Sequence, residues 1–404
     1  MNIYDELLER GYISQCTHEQ ELRELFQKEK VTFYIGIDAT ADSLHAGHFL
    51  TLVVMKRMQE AGHRPILLLG GGTTLIGDPT GRDDMRKILT REDIENNAMK
   101  IKDQVSRFID FDEGKALMLN NADWLVDLKY IDFLRDYGPY FSINRMIKMD
   151  SYQTRLEQGL TYFEFSYMPL QAYDFLHLYR TTGCRLQMGG SDQWSNIIGG
   201  IDLIKRIENA DCYGLTFNLI TTSAGVKMGK TQKGALWLDS EKTSPYEFFQ
   251  YWRNVEDASV ETLLMRYTFL SLEKIKELML PENNINIAKE ILAYELTQLV
   301  HGKEEAEGAI EASKALFSGA GNLDDVPSSI LKEEFFGQEW LDILLELGFI
   351  KSKGEGRRLI DQKGLRLNEE LLDDSKRLCE KGDFEKGFAL LRRGKKVYFK
   401  IDLN

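Results

Sequence analysis

The sequence predicts an α/β protein, and three observations point to that class. Short apolar, β-branched runs alternate with segments of helical periodicity through about the first 220 residues. Glycine-rich sequences end several of those runs. From Ser244 to about Phe317 the strand-like runs stop and helical periodicity continues alone. Because strands that alternate with helices form βαβ units, we expect a Rossmann-like parallel sheet followed by a helical region.

Five runs are predicted to be the strands of this sheet. They are Val31–Ile37, Pro65–Leu69, Ala116–Leu119, Arg185–Gly190 and Phe217–Thr221. Apolar residues at helical spacing predict helices between them, at Ala46–Ala61 and Asp192–Ile207. Ligands of such sheets bind beyond the carboxyl ends of the strands. Three glycine-containing sequences lie at those ends: Gly36–Asp38, Gly70–Gly72 and Gly189–Asp192.

The chain divides into three predicted domains. Residues 1–222 form the Rossmann-like sheet domain, with a helical, aromatic-rich insertion at about 90–180. Residues 223–325 hold a lysine-containing loop and an α-helical domain, which ends in a linker from Ser318 to Pro327. Residues 338–404 form a small α+β domain.

Composition limits the possible functions. With 404 residues, 43% of them hydrophobic, the chain can bury a large core, and its net charge of −13 argues against non-specific nucleic-acid binding. Residues 340–404 hold 15 Lys and Arg against 12 Asp and Glu, a net +3 that leaves −16 elsewhere, so any RNA should bind locally. Four scattered cysteines without a CxxC pair predict reduced thiols in the cytoplasm and no zinc site. The sequence offers neither a secretory signal nor an apolar membrane span.

The sequence His45-Ala46-Gly47-His48 follows the first strand of the sheet and begins a helix. Free N–H groups at a helix N-terminus favour an anion, and imidazoles can donate to phosphate oxygens. We therefore predict a phosphate site here. A histidine pair that caps the helix, or half of a metal site, is the alternative interpretation of so short a pattern.

The sequence Lys227-Met228-Gly229-Lys230-Thr231 predicts a flexible cationic clamp for polyphosphate. Its position about 180 residues after the histidines excludes a P-loop, and no GxxxxGK[ST] sequence is present. A solvated lysine pair in a surface loop is the alternative.

Together the two sequences resemble the signature motifs of class I aminoacyl-tRNA synthetases, usually written HIGH and KMSKS. The chain departs from them at Ala46, Gly229 and Thr231, which are packing or loop positions. Further blocks look like the bacterial-type tyrosyl-tRNA synthetases and occur in that family's order. They are YIGIDATADSLHAGH, AGHRP, LIGDPTGR, EFSYMPLQAYDF, CRLQMGGSDQW, VKMGKT and KTSPYEF.

The resemblance implies a tyrosine–tRNA ligase. Such an enzyme activates L-tyrosine with ATP and Mg²⁺ to tyrosyl-AMP and pyrophosphate, then transfers tyrosine to the 3′ end of tRNA(Tyr). The first nucleophile is already a carboxylate, so catalysis needs alignment and charge stabilisation rather than a general base. No tightly bound, protein-ligated metal is expected.

The resemblance also implies roles for phosphate and nucleotide residues. Thr40 and His45 should contact the outer phosphates and His48 the nucleotide, while Asp38 and Asp192 contact the amino acid or the ribose. Lys227 and Lys230 should close over the pyrophosphate. The ATP site should also include Gly36, Gly47 and Gly190. The clamp should include Arg82 and Arg86, although the family often has lysine at the position of Arg82.

For tyrosine itself, the resemblance implies that Tyr34 and Asp174 read the phenol hydroxyl. That hydroxyl can donate to Asp174 and accept from Tyr34, whereas phenylalanine would leave both unpaired. The ammonium group should be bound by Asp78, Tyr167 and Gln171, while Gln193 orients the carboxylate. One face of a single helix should carry Tyr167, Gln171 and Asp174, because their spacing is i, i+4 and i+3.

The C-terminal part resembles the small RNA-binding fold of a ribosomal protein and of these synthetases. Its expected phosphate-binding face is basic: Lys351, Lys353, Arg357, Arg358, Lys363 and Arg366. The helical region from Ser244 to about Phe317 should hold the anticodon arm. The family also implies a homodimer, with Tyr130–Tyr140 as the candidate interface.

Three other functions stay open at the level of sequence. A tryptophanyl-tRNA synthetase would share the fold and the reaction, although the Tyr34–Asp174 pair argues against it. A small-molecule nucleotidyltransferase could share the HxGH site, and a catalytically inactive relative could bind RNA alone. Formation of tyrosyl-AMP by the purified protein separates all three from the favoured function.

Overall fold

A computed structural model describes ten ranges of the chain. They are residues 2–78, 89–156, 159–218, 228–231, 234–318, 328–332, 335–368, 370–384, 387–394 and 397–403. The chain forms two compact units. The first comprises residues 1–243 and 254–292, and the second comprises residues 244–253 and 293–404.

A six-stranded sheet forms the centre of the first unit. Its strands are β1 (Ile13–Cys16), β2 (Thr32–Ile37), β3 (Arg64–Leu69), β4 (Leu117–Asn120), β5 (Leu186–Gly190) and β6 (Tyr213–Phe217). The spatial order is β1-β6-β5-β2-β3-β4, and all neighbours are parallel except the antiparallel edge pair β1–β6. A two-stranded ribbon, β7 (Lys230–Thr231) with β8 (Gly234–Ala235), belongs to the same unit.

The strand order reverses between β2 and β5. After β2 the chain adds β3 and β4 on one side, and it then returns to add β5 and β6 on the other. Open parallel sheets bind ligands at such a reversal, beyond the carboxyl ends of the strands. The ends of β2 and β5 carry Ile37 and Gly190, so the residues that follow them are placed for binding.

The sheet is buried because its strands are almost wholly apolar, as expected of parallel strands covered on both faces. In β3, Ile66, Leu67 and Leu68 are all buried, and Tyr34 of β2 packs in the same core. The first unit's helices are α1 (Ile3–Glu9), α2 (Glu19–Lys28), α3 (Ala46–Glu60), α4 (Arg91–Val105), α5 (Ala122–Leu125), α6 (Tyr130–Asp136), α7 (Ile143–Met146), α8 (Asp150–Leu156), α9 (Tyr162–Phe165), α10 (Tyr167–Thr182), α11 (Trp194–Glu208), α13 (Val260–Tyr267) and α14 (Leu272–Leu278).

The second unit contains helices and a five-stranded sheet. The helices are α12 (Pro245–Arg253), α16 (Lys303–Ser318), α17 (Trp340–Glu346) and α18 (Lys353–Asp361), and α15 (Ile285–His301) has residues in both units. The strands are β9 (Ser328–Leu331), β10 (Leu365–Leu367), β11 (Glu370–Leu371), β12 (Phe388–Arg393) and β13 (Val397–Leu403). The sheet order is β11-β10-β12-β13-β9, and Trp340, Leu344 and Leu391 lie in its core.

The predicted fold class is confirmed, and so are most of the predicted elements. One strand is shifted: the run predicted at Phe217–Thr221 is replaced by β6, Tyr213–Phe217, and residues 219–221 lie outside the described residues. The segment YGLTF is buried at every position, so burial against α11 decided the bounds of this inner strand. The edge strands β1 and β9 were not predicted. Their burial patterns are irregular, and they form by pairing with distant strands.

Candidate active site

A cavity of about 740 Å³ opens at the strand-order reversal in the first unit. Residues from β2, α3, α10, β5 and the turn between β5 and α11 converge on it, together with Met228 and Gly229 of the lysine-containing loop. Many predicted site residues line this one cavity: Tyr34, Gly36, Asp38, Thr40, His45, Gly47, His48, Asp78, Tyr167, Gln171, Asp174, Gly190, Asp192 and Gln193.

Asp174 lies at the buried end of the cavity, on α10. Its Oδ2 accepts from Asn121 Nδ2 at 2.9 Å and its Oδ1 accepts from the Trp124 indole Nε1 at 2.7 Å. Burial raises the pKa of Asp174 to about 7, although both hydrogen bonds oppose the shift. Since a carboxylate offers about four acceptor positions, Asp174 can accept a further hydrogen bond from a ligand.

Tyr34 faces the same end of the cavity from β2. Its side chain is buried, and its hydroxyl has no hydrogen-bond partner. Burial and the nearby Asp174 carboxylate raise the pKa of Tyr34, so the hydroxyl keeps its proton. An unpaired buried hydroxyl costs free energy unless a ligand supplies its partner.

A chain of amides and carboxylates crosses the middle of the cavity. Gln193 Nε2 donates to Asp78 Oδ2 at 2.7 Å, and Gln171 Nε2 lies 3.4 Å from Gln193 Oε1. The buried Gln171 Oε1 has no partner, which leaves an acceptor for a cationic or N–H donor. The Tyr167 hydroxyl lies 3.4 Å from Asp38 Oδ2.

Asn121 connects this region with Asp174. Its Oδ1 accepts from Gly72 N at 2.8 Å, and its Nδ2 donates to Thr73 Oγ1 at 3.0 Å as well as to Asp174. Thr73 Oγ1 in turn donates to Asp38 Oδ1 at 3.1 Å. The two acidic side chains are therefore oriented by one continuous network.

The sequence HAGH begins α3 as predicted, with His45 as the residue that caps it. His45 Nδ1 accepts from Gly47 N at 3.0 Å, so Nδ1 carries no proton and Nε2 carries it as a donor. The His45 and His48 rings stack with centroids 4.0 Å apart. A Cβ at Gly47 would come 2.7 Å from the His45 ring, so only glycine permits this arrangement.

The expectation that the N–H groups at the start of α3 are free is wrong. Ala46 N donates to Leu236 O at 2.8 Å, and Gly47 N donates to His45. The chain after the lysine-containing loop returns here and fills the first turn of the helix. Any phosphate bound by this motif must therefore be met chiefly by side chains such as the His45 imidazole.

Leu236 joins the two motifs through its backbone. Its N donates to Gly229 O at 2.6 Å, while its O accepts from Ala46 N. Gly229 has φ +89°, and a Cβ there would lie 2.8 Å from Ala46 Cβ. The departures at Ala46 and Gly229 therefore face each other, and both allow close packing.

The other predicted residues are not all described. Arg82, Arg86 and Lys227 lie outside the described residues, and only the backbone of Lys230 is described, as part of β7. The basic set of the second unit lies before and along α18, in the turn that follows it and in β10: Lys351, Lys353, Arg357, Arg358, Lys363 and Arg366. Arg357, Arg358 and Lys363 are exposed.

Comparison with known proteins decides the family. The family model "tRNA synthetases class I (W and Y)" matches residues 27–318, and the model "Tyrosine--tRNA ligase SYY-like C-terminal domain" matches residues 320–401. The tyrosine–tRNA ligase of Clostridium kluyveri is 55% identical over 401 residues, which cover 99% of each chain. This chain belongs to the tyrosine–tRNA ligase family. As a member it is an ATP-dependent aminoacyl-tRNA synthetase, and the predicted family, reaction class and fold are confirmed.

Further relatives agree with this assignment. The tyrosine–tRNA ligase of Acetivibrio thermocellus is 54% identical, covering 100% of this chain and 99% of its own. A truncated mitochondrial tyrosyl-tRNA synthetase from Aspergillus nidulans is 30% identical, with TM-score 0.71 over 78% of this chain and 94% of its own. The tyrosyl-tRNA synthetase of Archaeoglobus fulgidus, solved with L-tyrosine, is 19% identical with TM-score 0.57 over 76% and 99%, and it supports the fold.

Sequence analysis missed several residues of this tyrosine–tRNA ligase site. Asn121, Trp124, Thr73 and Gln187 were not predicted, although all but Trp124 line the cavity. Asn121 and Trp124 follow the carboxyl end of β4, so the rule that ligands bind beyond strand ends could have found them. Gln187 lies within β5, where its buried Oε1 has no partner, and nothing in the sequence marks it.

The described part of the chain contains neither a metal-binding cluster nor a membrane-spanning helix. In it, no group of three or more His, Cys, Asp and Glu side chains could hold a metal ion. None of its helices is long and apolar enough to cross a membrane.

Proposed function

We propose that this chain activates L-tyrosine with Mg-ATP and then transfers tyrosine to the 3′ end of tRNA(Tyr). One observation carries the choice of amino acid. The unpartnered, buried Tyr34 hydroxyl and the Asp174 carboxylate lie in the same cavity, where a phenol hydroxyl can accept from the first and donate to the second. Phenylalanine would leave both polar groups buried without that partner.

The middle of the cavity suits the amino-acid end of tyrosine. Asp78, Tyr167 and Gln171 bind the ammonium group in this proposal, and the unpartnered Gln171 Oε1 supports an N–H donor there. Gln193, held by Asp78, orients the carboxylate toward the α-phosphate. Asp38 and Asp192 line the same cavity and contact the substrate's amino acid or ribose.

The open end of the cavity takes ATP. His45 offers Nε2–H to a phosphate oxygen because its Nδ1 is held by Gly47 N, and Thr40 and His48 lie on the same wall. Gly36, Gly47 and Gly190 line the cavity without side chains to exclude the nucleotide. Lys227, Lys230, Arg82 and Arg86 complete a cationic clamp around the phosphates.

Catalysis in this proposal rests on alignment. The tyrosine carboxylate is the nucleophile, so its oxygen forms the bond to the α-phosphorus while the bond to pyrophosphate breaks. No proton has to be removed, and cationic groups stabilise the charge that develops on the phosphates. Mg²⁺ enters as part of the ATP substrate.

The second unit binds tRNA(Tyr) in this proposal. The family model for the C-terminal domain and the exposed basic side chains Arg357, Arg358 and Lys363 support contact with phosphates. Of the helical region from Ser244 to about Phe317 that the sequence assigns to the anticodon arm, helices α12 and α16 belong to this unit. The proposed domains are residues 1–222, 223–325 and 338–404, although β9 at Ser328–Leu331 joins the C-terminal sheet and favours an earlier start of the third domain.

A homodimer is part of the proposal. An apolar face on α6 to α9 is exposed to an extent that is unusual for a lone chain: Tyr130, Ile131, Ile143, Tyr162 and Phe163. The Tyr130 and Tyr162 hydroxyls lie 2.9 Å apart, so α6 meets the start of α9 at this face. We also propose a cytoplasmic location, because all four cysteines are free thiols.

Tyrosine-dependent ATP–pyrophosphate exchange tests this function, with phenylalanine and tryptophan assayed in parallel. We expect strong exchange with tyrosine alone. Lys230→Ala should reduce it at least tenfold, since a charge that stabilises the phosphates is lost. Lys205→Ala, which removes an exposed lysine paired with Asp211, serves as the matched control and should leave exchange unchanged. Exchange with tryptophan, or with none of the three, would refute the proposal.

A further inference from the structure

His177 has no role in the reaction described above, yet it lies one helical turn after Asp174 on α10. Its imidazole is stacked on the indole of Trp124, with centroids 4.2 Å apart and planes only 15° from parallel. That indole is the one whose Nε1 donates to Asp174 Oδ1 at 2.7 Å. His177 is therefore one contact away from the carboxylate that reads the phenol.

The Trp124 indole needs such a support. It is only partly buried, and it belongs to α5, a helix of four residues that has little stability of its own. Rotation of the side chain would turn the N–H away from Asp174. A flat ring packed on the indole face restricts that rotation while leaving the N–H edge free to donate.

Further aromatic contacts surround His177 on α10. Tyr173 lies one turn earlier on α10, with its ring centroid 6.4 Å from that of His177, and Tyr137 packs on Tyr173 at 4.8 Å. Arg180 pairs with Glu208 and reaches the Tyr137 hydroxyl at 3.3 Å. Burial and the nearby Arg180 lower the pKa of His177, so a neutral imidazole stacks on Trp124 near pH 7.

We propose that His177 is a positioning residue for tyrosine recognition, which acts by holding Trp124 flat so that its N–H orients Asp174. This inference rests on the proposed function, because it assumes that Asp174 binds the substrate hydroxyl. His177 itself does not line the cavity, so its effect on tyrosine passes through Trp124.

The kinetic test compares His177→Ala, which removes the stack, with His177→Phe, which keeps a flat ring. The KM for tyrosine should rise about three- to tenfold in His177→Ala, which corresponds to about 0.6–1.4 kcal/mol and is typical of the loss of one aromatic pair. The KM for ATP should stay unchanged, and His177→Phe should return the KM for tyrosine to within about twofold of the wild type. His18→Ala is the matched control. His18 is exposed, its ring meets that of Tyr213 edge-on with centroids 6.0 Å apart, and neither residue lines the cavity.

A second readout follows the indole directly. The chain has five tryptophans, so ¹⁵N-tryptophan labelling gives five indole N–H signals, and Trp124→Phe identifies the one from Trp124. That signal should move in His177→Ala, remain near its wild-type position in His177→Phe, and be unaffected by His18→Ala.

The outcomes separate the two claims. If wild-type protein does not activate tyrosine, the proposed function fails. If it does, but His177→Ala keeps the wild-type KM for tyrosine and an unmoved Trp124 signal, the role of His177 is refuted. Equal rises in the KM values for tyrosine and ATP would also refute it, because they would indicate a general loss of structure. Should His177→Ala not fold, His177→Leu supplies the bulk without the flat ring and is judged by the same criteria.

Discussion

Asp174 shows how single residues define this site. It is buried, it accepts hydrogen bonds from Asn121 and Trp124, and its remaining acceptor positions face a cavity that also contains the unpartnered Tyr34 hydroxyl. Burial, with a smaller contribution from the Asp38 carboxylate, raises its pKa to about 7. In the proposed function, the group that reads the substrate therefore titrates within the working pH range.

A pH dependence of tyrosine binding follows. Only the ionised Asp174 accepts well from the phenol, and it takes up a proton as the pH falls through about 7. The KM for tyrosine should therefore rise about tenfold between pH 8 and pH 6, while the KM for ATP changes little. Pyrophosphate exchange from pH 5.5 to 8.5 measures both constants, with Asp174→Asn as the variant that cannot titrate. A KM for tyrosine that is flat across this range would contradict the assignment.

Gly229 gives a second prediction at the residue scale. Gly229→Ala adds a Cβ that meets Ala46 and places an L residue at φ +89°, so the loop can no longer rest on the start of α3. The rate of tyrosyl-AMP formation should fall about tenfold, whereas the dissociation constant of tyrosine stays the same. Single-turnover kinetics measure the rate. Gly302→Ala is the control, because Gly302 has φ +97° but open space around it, and its rate should match the wild type.

At the scale of elements, helix α3 is fixed at both ends by distant segments. Its first turn is held by Leu236 O. Near its last turn, the buried Arg57 forms an ion pair with Glu6 of α1 and donates to Thr268 O at 2.7 Å. Glu6 also pairs with the buried Arg10 at 2.9 Å. The Glu6 carboxylate thus balances the charges of two buried arginines and joins α1 to α3. Arg57 in turn joins α3 to the residue that follows α13.

Glu6→Gln should therefore destabilise the protein markedly. Removal of the charge leaves two buried arginines without this counter-ion, which should lower the free energy of unfolding by about 2–3 kcal/mol. The loss is smaller than for a fully buried pair because Glu6 is partly exposed. The expected result is a clear fall in the melting temperature, measured by differential scanning calorimetry. Glu24→Gln, whose exposed partner is Lys28, should leave the melting temperature unchanged. Equal melting temperatures for both variants would refute the role of this cluster.

Elements differ in how well the sequence could predict them. Strands β2, β3 and β5 were predicted within about one residue, because an apolar run closed by glycine is a local signal. Strand β6 was displaced because burial of the segment YGLTF decided its bounds. Strand β1 was missed because an edge strand is decided by pairing with residues far away in the chain. The Leu236 contact with α3 was missed for the same reason, although both motifs that it joins had been recognised.

For the whole molecule, the apolar residues exposed on α6 to α9 give a prediction about assembly. Ile131 is one of them, with 70% of its surface exposed. In the proposed homodimer, Ile131→Asp should convert the dimer to monomers, because a buried unpaired charge at the proposed interface is costly. Sedimentation velocity at micromolar protein concentration measures the oligomeric state. The control is Met99→Asp, which changes an apolar residue on α4 that is 59% exposed, and this variant should remain dimeric. If the Ile131→Asp variant is also dimeric, this face is excluded as the dimer interface.

The central claim is that the Tyr34 and Asp174 side chains select tyrosine by its hydroxyl. The most direct measurement is the ratio of kcat/KM for tyrosine to that for phenylalanine, in pyrophosphate exchange, for wild type and Tyr34→Phe. Loss of one hydrogen bond that only tyrosine can form should lower the ratio about tenfold, with phenylalanine activated no more slowly than before. An unchanged ratio, in a variant that still activates tyrosine, would contradict the claim.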